Sequence, residues 1–593
     1  MPAPTPMPEK RHLLTIALED YFQVGAFNRV IQRGQWYRFE TRLTRNTDHV
    51  LALLDQYNLK ATFFVLGWVA DQYPELVRRV AERGHEIASK GYYHRGVQHM
   101  SPAEFREDLL RSREALEKAG GRRVLGFRLA DGWFTPADLW ALDVLAECGF
   151  AYDSSIAPRG RQFADEPFRR FAHQEQTKSG SIWEFPISTA RVFGHLVPIA
   201  GGNYFRQIPP WLIRRAVARW HAKVDAPFVL YFHAWEIDPE QPKINVPWLQ
   251  GLRHYRNLDK MQQRLEYFFR RYPFGRVVDH LHLDDTLQPL AASLPRTSQF
   301  GSHLGTRKPA PETRMPVTVV VPCYNEELIL PYLANTLRSV EEKLAPEYDL
   351  TFVLVDDGSS DGTGPAMRQT FGAKPNFRLL RHDRNRGVTA AILTGIGHAE
   401  TDIVCSIDCD CTYDPHELGN MIPLLRPGVD LVTASPYHAE GGVRNVPGWR
   451  LFLSRGASWL YRRVLRNQLA TYTSCFRVYR KSAVEALPIR ETGFLGVAEL
   501  LGRLDLKGAK IVEYPAVLEV RMIGRSKMKT VRTIFGHLRL MVRLLAARAF
   551  RPLASGGRQP PDDSQKPPVD EEQPGADAPR STHESPLISG ACS

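Results

Sequence analysis

Three short apolar runs, each closing on a polar cluster, constrain the fold of this chain more than any other feature. Val317-Thr318-Val319-Val320-Val321 ends at Pro322; Phe352-Val353-Leu354-Val355 runs into Asp356-Asp357-Gly358-Ser359; Ile403-Val404-Cys405-Ser406-Ile407 runs into Asp408-Cys409-Asp410. Near-continuous aliphatic runs of this length mark strands buried on both faces, as in a parallel sheet. Helical stretches lie between them, so the pattern predicts an open α/β sheet whose ligand sits beyond the strand C-termini. Carboxylates at two of those ends suit a diphosphate bridged by a hard divalent cation, since Mg²⁺ and Mn²⁺ prefer oxygen ligands.

Read in order with Val321-Pro322-Cys323-Tyr324-Asn325-Glu326 and Gly524-Arg525-Ser526-Lys527, these strings closely resemble family 2 glycosyltransferases of the GT-A fold. The likeness is to the polyprenyl-phosphate, dolichol-phosphate mannose synthase-like branch and covers about residues 316–550. It implies a metal-dependent, inverting transfer from a nucleotide-sugar donor. Pro322, Tyr324 and Glu326 would line the nucleotide pocket, Asp356 would address the base beside Asp357, and Asp408 and Asp410 would hold Mg or Mn. Asp361 is expected to cap the helix that follows it.

On the acceptor side, Arg444, Arg450 and Arg455 form a basic stretch, and Thr473-Ser474-Cys475-Phe476-Arg477 resembles the family's Thr-Ser-Gly-Phe-Arg with Cys475 for the glycine. Thr471 stands where many relatives carry Asp. The resemblance makes Asp410, Arg477 and Glu499 the catalytic candidates. Glu499 would be a base for a hydroxyl acceptor, its alternative being an ion pair with an arginine; a phosphate acceptor is already an anionic nucleophile. Arg521, Arg525, Ser526 and Lys527 would hold the acceptor phosphate, Arg as a forked donor and Lys as a point charge.

The net charge of +12 is concentrated: from Arg521 to Phe550 there are eight Lys or Arg and no acidic residue. Within this stretch Val531, Ile534, Phe535, Leu538, Met541, Val542 and Leu545 recur at helical spacing, which predicts a basic amphipathic helix over 531–550 that lies in a membrane interface or packs on the catalytic domain. No nucleic-acid-binding module surrounds the patch, so nucleic acid is not an expected partner. Met1–Lys10 has no apolar core and nowhere do eighteen apolar residues run together, so neither a signal peptide nor an ordinary spanning helix is expected. The expected location is the cytoplasmic face of the membrane, held peripherally.

Seven cysteines in 593 residues do not make a disulfide framework. Cys405, Cys409 and Cys411 flank the Asp-x-Asp motif; without a second Cys/His pair at ligand spacing they read as small packed hydrophobes rather than a zinc site. Two segments are rich in Pro and polar residues and read as unstructured: a linker over 286–315 and a tail over 551–593. The region 316–530 has its own strands, so 12–285, after a short N-terminal arm over 1–11, must fold separately.

That first region alternates short apolar runs (Leu13–Leu18, Ala61–Val65, Glu86–Ser89, Val124–Phe127, Phe228–Phe232) with helices such as Pro102–Ala119 and Pro136–Cys148, which predicts a distorted (β/α) barrel. Glu19-Asp20-Tyr21-Phe22-Gln23-Val24, Gly84-His85-Glu86-Ile87-Ala88-Ser89, Tyr152-Asp153-Ser154-Ser155 and Phe232-His233-Ala234-Trp235-Glu236 resemble the NodB-type polysaccharide deacetylases, in the branch associated with exopolysaccharide gene clusters. The family's chemistry needs an Asp base, a divalent metal on one carboxylate and two histidines, and a His acid. Against its Asp-x-Glu-Asp the chain has Ala17 at the base position, before Glu19 and Asp20. Against Ser-His-Gly-Tyr-x-His it has Lys90 for the first His, with His94 retained.

Arg128 and His233 are also retained. Alanine has no proton acceptor, and a protonated Lys has three donors and no lone pair. The expectation is therefore a degenerate deacetylase site without zinc, in which Lys90 pairs with Asp20. A rescue would need Glu19 or Asp131 as base and His99 as ligand. The leading functional expectation is transfer of a sugar to a polyprenyl phosphate or related glycan. The alternatives are a bifunctional deacetylase and transferase, or a non-catalytic glycan-binding protein.

Overall fold

The computed structural model describes residues 10–160, 162–163, 165–283, 314–524 and 530–549. The expected linker lies almost wholly, and the expected tail entirely, outside these residues. The described residues up to Leu545 form one unit that carries both sheets.

The N-terminal strands are β1 (His12–Leu18), β2 (Thr62–Val65), β3 (Glu86–Ser89), β4 (Gly126–Phe127), β5 (Tyr152–Asp153), β6 (His173–Thr177), β7 (Gly180–Glu184), the separate hairpin β8 (Thr189–Val192) and β9 (His195–Pro198), then β10 (Val229–His233) and β11 (Phe274–Gly275). The main sheet runs β10-β1-β2-β3-β4-β5-β7-β6, with β11 also on β1. Its pairing is parallel apart from the β6–β7 hairpin. The ladder curls without closing among the described residues, an incomplete barrel. Every residue of β1 is buried because it is flanked by strands on both edges and covered on both faces. The helix Pro102–Gly120 starts on a capping box, Ser101 with Glu104, and ends on Gly121 at φ 66°, where the left-handed turn favours glycine.

The second sheet contains β12 (Met315–Cys323), β13 (Tyr348–Asp356), β14 (Phe377–Arg381), β15 (Ile403–Ser406), β16 (Leu431–Ser435), β18 (Arg477–Arg480) and β19 (Ile511–Pro515); β17 (Gly442–Arg444) pairs separately with β20 (Val517–Glu519). The order is β14-β13-β12-β15-β18-β16-β19, with β18 antiparallel to both neighbours. The three apolar runs of the sequence are β12, β13 and β15, adjacent and parallel, so their C-terminal ends share one edge.

The helix Thr530–Ala549 presents two apolar faces. Leu540, Met541 and Leu544 are buried in the second core, while Phe535, Leu538, Val542 and Leu545 are exposed at i, i+3, i+7, i+10 spacing. The packing expected of this stretch is seen on one face, against the second domain, while the other face keeps an unburied apolar stripe.

The two sheets' domains meet through the 3₁₀ turn Arg33–Arg38, which lies on the helix Leu330–Leu344. Asn335 Nδ2 donates to the carbonyls of Arg38 and Phe39, both at 3.3 Å, and Phe39 sits edge-on to Tyr332. Buried Arg38 pairs with Asp414 at 2.7 Å. A backbone bridge joins Ile244 to Ile523, and Asn245 N donates to Met522 O at 2.7 Å.

Candidate functional site

At the shared edge of β12, β13 and β15, local turn chemistry fixes the polar clusters. Asn325, at φ 53°, accepts the backbone N–H of Ser360 at 2.8 Å on its side chain and gives its own N–H to Ser359 Oγ. Gly358, at φ 67°, is required: a Cβ there would lie 2.3 Å from the Arg384 carbonyl carbon. Asp361 Oδ1 accepts from Thr363 N at 3.0 Å, at the first turn of the helix Thr363–Phe371.

Asp356 and Asp357 divide their work. Asp356 Oδ1 accepts from Ser359 N at 2.9 Å, but its buried Oδ2 has no hydrogen-bond donor, only the Arg381 guanidinium at 3.4 Å. Asp357 is fully engaged by His382 Nδ1 at 2.7 Å and the backbone N–H groups of Arg386 and Gly387 at 2.8 and 2.7 Å. Asp357 thus holds the 382–387 loop, while Asp356 Oδ2 accepts no hydrogen bond and has only the Arg381 ion pair. Pro322, Tyr324 and Glu326 are half-buried around the same edge.

The turn after β15 brings Asp408 and Asp410 together, with Cys411 at φ 51° and its N–H bonded to Asp408 O. Burial and the neighbouring Asp410 carboxylate push Asp408 up to about 7, against the pull of Cys475, Arg521 and Arg477. Arg521 reaches over from the segment after β20: its guanidinium pairs with Glu326 and lies 3.6 Å from Asp410. Burial would lower its pKa, and the two carboxylates more than offset that. The thiols of Cys405 and Cys411 are pushed up by burial, and that of Cys409 by the Cys323 thiol it touches and by burial, which keeps them protonated packing groups.

Two further candidates lie inside the protein. Arg477 is wholly buried and donates to Val497 O and Tyr472 O at 2.9 and 3.0 Å. Glu499 accepts on one oxygen from Arg490 N and Glu491 N, and on the other from Arg503 at 2.9 and 2.7 Å. A base needs a lone pair facing the acceptor; here the ion-pair arrangement takes both oxygens. Arg503 and His382 escaped notice in the sequence, although Arg503 stands at i+4 from Glu499, a spacing that signals such a pair. Arg444 pairs with Glu519, and Arg455 lies over the Tyr437 ring. Arg525, Ser526 and Lys527 lie outside the described residues.

In the barrel, the ends of β1, β3 and β10 converge on a second cluster. Glu19 is fully buried; Lys90 Nζ bonds to its Oε2, His233 Nδ1 lies 2.6 Å from its Oε1, and His94 Nε2 3.5 Å from Oε2. Burial pushes the Glu19 carboxyl up, but Lys90, His233 and His94 together hold it far below the usual range. Burial drives His94 down to about 3, Glu19 notwithstanding.

The expected Lys90–Asp20 pairing is corrected. Asp20 is held by Thr41 Oγ1 at 2.7 Å, Arg42 N at 3.0 Å and Tyr21 N at 2.9 Å, and burial raises it to about 6. The reason is chain direction: Lys90 leaves β3 beside the end of β1, where Glu19 points inward and Asp20 turns into the following loop. Ala17 is buried in register with His233 and Phe64. Arg128 is a core strut, bonded to Ser154 and Thr15 beneath the Phe64 ring. Asp131 accepts from Asn28 at 2.7 Å, and His99 is exposed.

Comparison with known families resolves both regions. Residues 33–152 match the polysaccharide deacetylase model, 154–282 a domain of unknown function (DUF3473), and 318–487 glycosyl transferase family 2. The chain joins a polysaccharide deacetylase-type barrel to a family 2 glycosyltransferase domain. The transferase domain is 30% identical over 233 residues to a dolichol-phosphate mannosyltransferase of Pyrococcus furiosus, covering 39% of this chain and 64% of that protein. It is 29% identical to a polyprenol monophosphomannose synthase of Mycolicibacterium smegmatis, over 39% of this chain and 87% of that one. Against solved structures, the barrel aligns with a Mycobacterium smegmatis protein assigned as a polysaccharide deacetylase, at 20% identity and TM-score 0.32, over 49% of this chain and 98% of that one.

Within this transferase domain, then, the motif residues gather at one sheet edge, and Arg477 and Glu499 brace the helix Phe494–Lys507 behind it. Among the described residues, no helix is long and apolar enough to cross a membrane.

Proposed function

We propose that the transferase domain moves a sugar from a nucleotide-sugar donor to a polyprenyl phosphate, by a metal-dependent, inverting reaction at the cytoplasmic face of a membrane. The observation that carries this reading is the convergence of Asp356, Glu326, Asp408, Asp410 and Arg521 at the edge of β12, β13 and β15. Two adjacent carboxylates are a donor set that fits a hard divalent cation, so Asp408 and Asp410 would hold Mg or Mn. The cation supplies neutralisation of the leaving diphosphate. The Oδ2 of Asp356, which has the Arg381 guanidinium at 3.4 Å and no hydrogen-bond donor, accepts from the nucleobase, with Pro322 and Tyr324 beside it and Asp357 fixing the loop.

Arg521, joined by Arg525, Ser526 and Lys527, receives the acceptor phosphate. Such an acceptor is its own nucleophile, which agrees with Glu499 having no free oxygen; Glu499 and Arg477 are then positioning residues. The names of the two mannosyl-transferring relatives favour a lipid-phosphate acceptor. The exposed stripe Phe535, Leu538, Val542, Leu545, set among basic residues, supports peripheral contact with an anionic membrane. Asp410→Ala is expected to lower transfer by at least about 10²–10³-fold with unchanged melting temperature. Substantial turnover at saturating Mn²⁺ would refute the assignment.

The barrel is proposed to be a degenerate deacetylase. Zinc does not fit: a lysine bonds the central carboxylate where the family has a histidine ligand, and Asp20 is consumed by the loop it caps. The full chain is expected to carry no stoichiometric zinc in residues 1–285 and to release no acetate from acetylated oligosaccharides. Ala17→Asp with Lys90→His is expected to introduce metal binding that neither change produces alone. Tight zinc with acetate release by the unmodified chain would make it bifunctional instead.

A further inference from the structure

The helix Trp248–Tyr255 of the barrel presents large apolar side chains to solvent. Trp248, Leu249 and Leu252, at i, i+1 and i+4, form one apolar face exposed by 73%, 63% and 53%. Its other face is fixed: His254 stacks on Trp235 with ring centroids 4.3 Å apart and packs against Phe27, and Tyr255 OH accepts from Ile244 N at 2.7 Å. The exposed face is therefore held outward by a buried one. Single exposed leucines are ordinary, but a Trp and two Leu on one turn of a rigid helix are not.

The segment that carries the helix is basic between Glu240 and Asp259. From Gln241 to Leu258 the chain carries Lys243, Arg253 and Arg256, all exposed, and no acidic residue. Three cations around an apolar face repel a second copy of the same face and complement anionic headgroups. Trp at such a position suits the level of the headgroups, where its ring is half-buried and its N–H is wet.

Its placement ties it to the transferase. Three residues before the helix, Asn245 N donates to Met522 O at 2.7 Å, Asn245 Nδ2 donates to Arg521 O at 3.2 Å, and Ile244 forms an antiparallel bridge with Ile523. Arg521 is the residue that faces Glu326 and Asp410. The barrel thus grips the backbone of the acceptor segment with one end of a loop and displays the apolar helix with the other.

We infer that the barrel helix Trp248–Tyr255 is a lipid-facing element, which lays Trp248, Leu249 and Leu252 into the interface of an anionic bilayer and brings the Arg521 segment to a membrane-borne phosphate. The inference rests on the lipid-phosphate reading above and gives the barrel a role that needs no deacetylase chemistry. The acceptor's phosphate lies at headgroup depth, so the enzyme that takes it must hold its phosphate-binding segment there. A contact contributed next to that segment does so with less lever arm than one elsewhere on the surface.

The test uses the full chain and vesicles of phosphatidylcholine with and without phosphatidylglycerol. The triple variant Trp248→Ser, Leu249→Ser, Leu252→Ser is expected to lose at least about ten-fold in partitioning onto the anionic vesicles, since three exposed apolar side chains no longer enter the interface. Its melting temperature and its metal-dependent hydrolysis of nucleotide sugar should not change, because none of the three residues lies at the donor site. Trp248→Phe is expected to keep partitioning while losing the share of tryptophan fluorescence that brominated lipid quenches. Equal flotation of the unmodified chain and the triple variant would overturn the inference and leave the proposed function standing. No flotation of the unmodified chain on either vesicle would overturn both. A change from dimer to monomer in the triple variant, with vesicle binding unaltered, would make the face a contact between copies and overturn the lipid assignment.

Discussion

The two domains solve the same electrostatic problem in opposite ways. In both, parallel strands end together and bring carboxylates and cations to one place. In the barrel the cation is covalently part of the cluster: Lys90, a fixed side chain of the sheet edge, closes on Glu19, and His94 and His233 fill what remains. In the transferase the carboxylates Asp408 and Asp410 face one another, and their partial relief comes from Arg521, carried on a separate segment. A cluster neutralised by its own strands carries its counter-charges within the fold. One that depends on a segment from elsewhere draws its counter-charge from a distant part of the chain, which is what the proposed exchange for an ion or a phosphate needs. The same strand-end geometry therefore carries two different clusters, one with its counter-charge built in and one with it borrowed.

The sharpest test removes the barrel carboxylate. Glu19→Ala leaves Lys90 buried without its anion and is expected to cost about 3–5 kcal/mol in unfolding free energy. Sugar transfer by the protein that remains folded should be unchanged. Replacing both partners, Glu19→Gln with Lys90→Met, is expected to recover most of that loss, since a buried pair is often no better than a neutral substitute. Denaturant midpoints of the two variants decide it; an unaltered midpoint for Glu19→Ala would mean that the barrel cluster is open to solvent or ligand after all.

Glu499→Gln probes the transferase behind its site. With both oxygens in a structural network, the expected cost is about 1–3 kcal/mol of stability and a transfer rate whose pH profile keeps its shape. A general base at that position would instead lose about 10²–10⁴ in rate and flatten the basic limb.

Glu86, which links β3 to Thr62 and Tyr152 at the core of the barrel, gives a pH test. Burial raises its carboxyl from 4.5 to about 7, against the hydrogen bonds it accepts. The folded state thus holds a proton that the unfolded chain has released, so stability falls as pH rises from the unfolded value to about 7 and then levels off. Glu86→Gln removes the titrating group. Relative to the unmodified chain it should gain stability between about pH 5 and about pH 8, read from urea midpoints. A constant difference across that range would show that Glu86 is ionised throughout. The smallest effect is at the domain boundary, where Tyr37 OH lies 3.4 Å from His416 Nε2 on a surface-exposed ring. Tyr37→Phe should change the midpoint by no more than about 0.5 kcal/mol; a larger loss would give that contact a weight its exposure does not suggest.

Sequence alone determined the three central strands of the transferase, because aliphatic runs ending at Pro322, Asp356 and Asp408 leave few options but adjacent parallel strands. It also marked where the barrel departs from the family pattern, because Ala17 has no proton acceptor and a protonated Lys90 has no lone pair for a metal. Only tertiary structure decided partners. That Lys90 meets Glu19 and not Asp20 depends on which of two successive carboxylates turns inward at the end of β1. The burial of Arg477, Glu499 and Arg128 was hidden for the same reason: a charged residue in a motif looks alike whether it faces a ligand or a backbone carbonyl. The grip of Asn245 on the Arg521 segment joins residues 276 positions apart. Local patterning records which face of an element is apolar; it carries no record of which distant segment will supply a hydrogen bond, and that is where the working geometry of this protein is set.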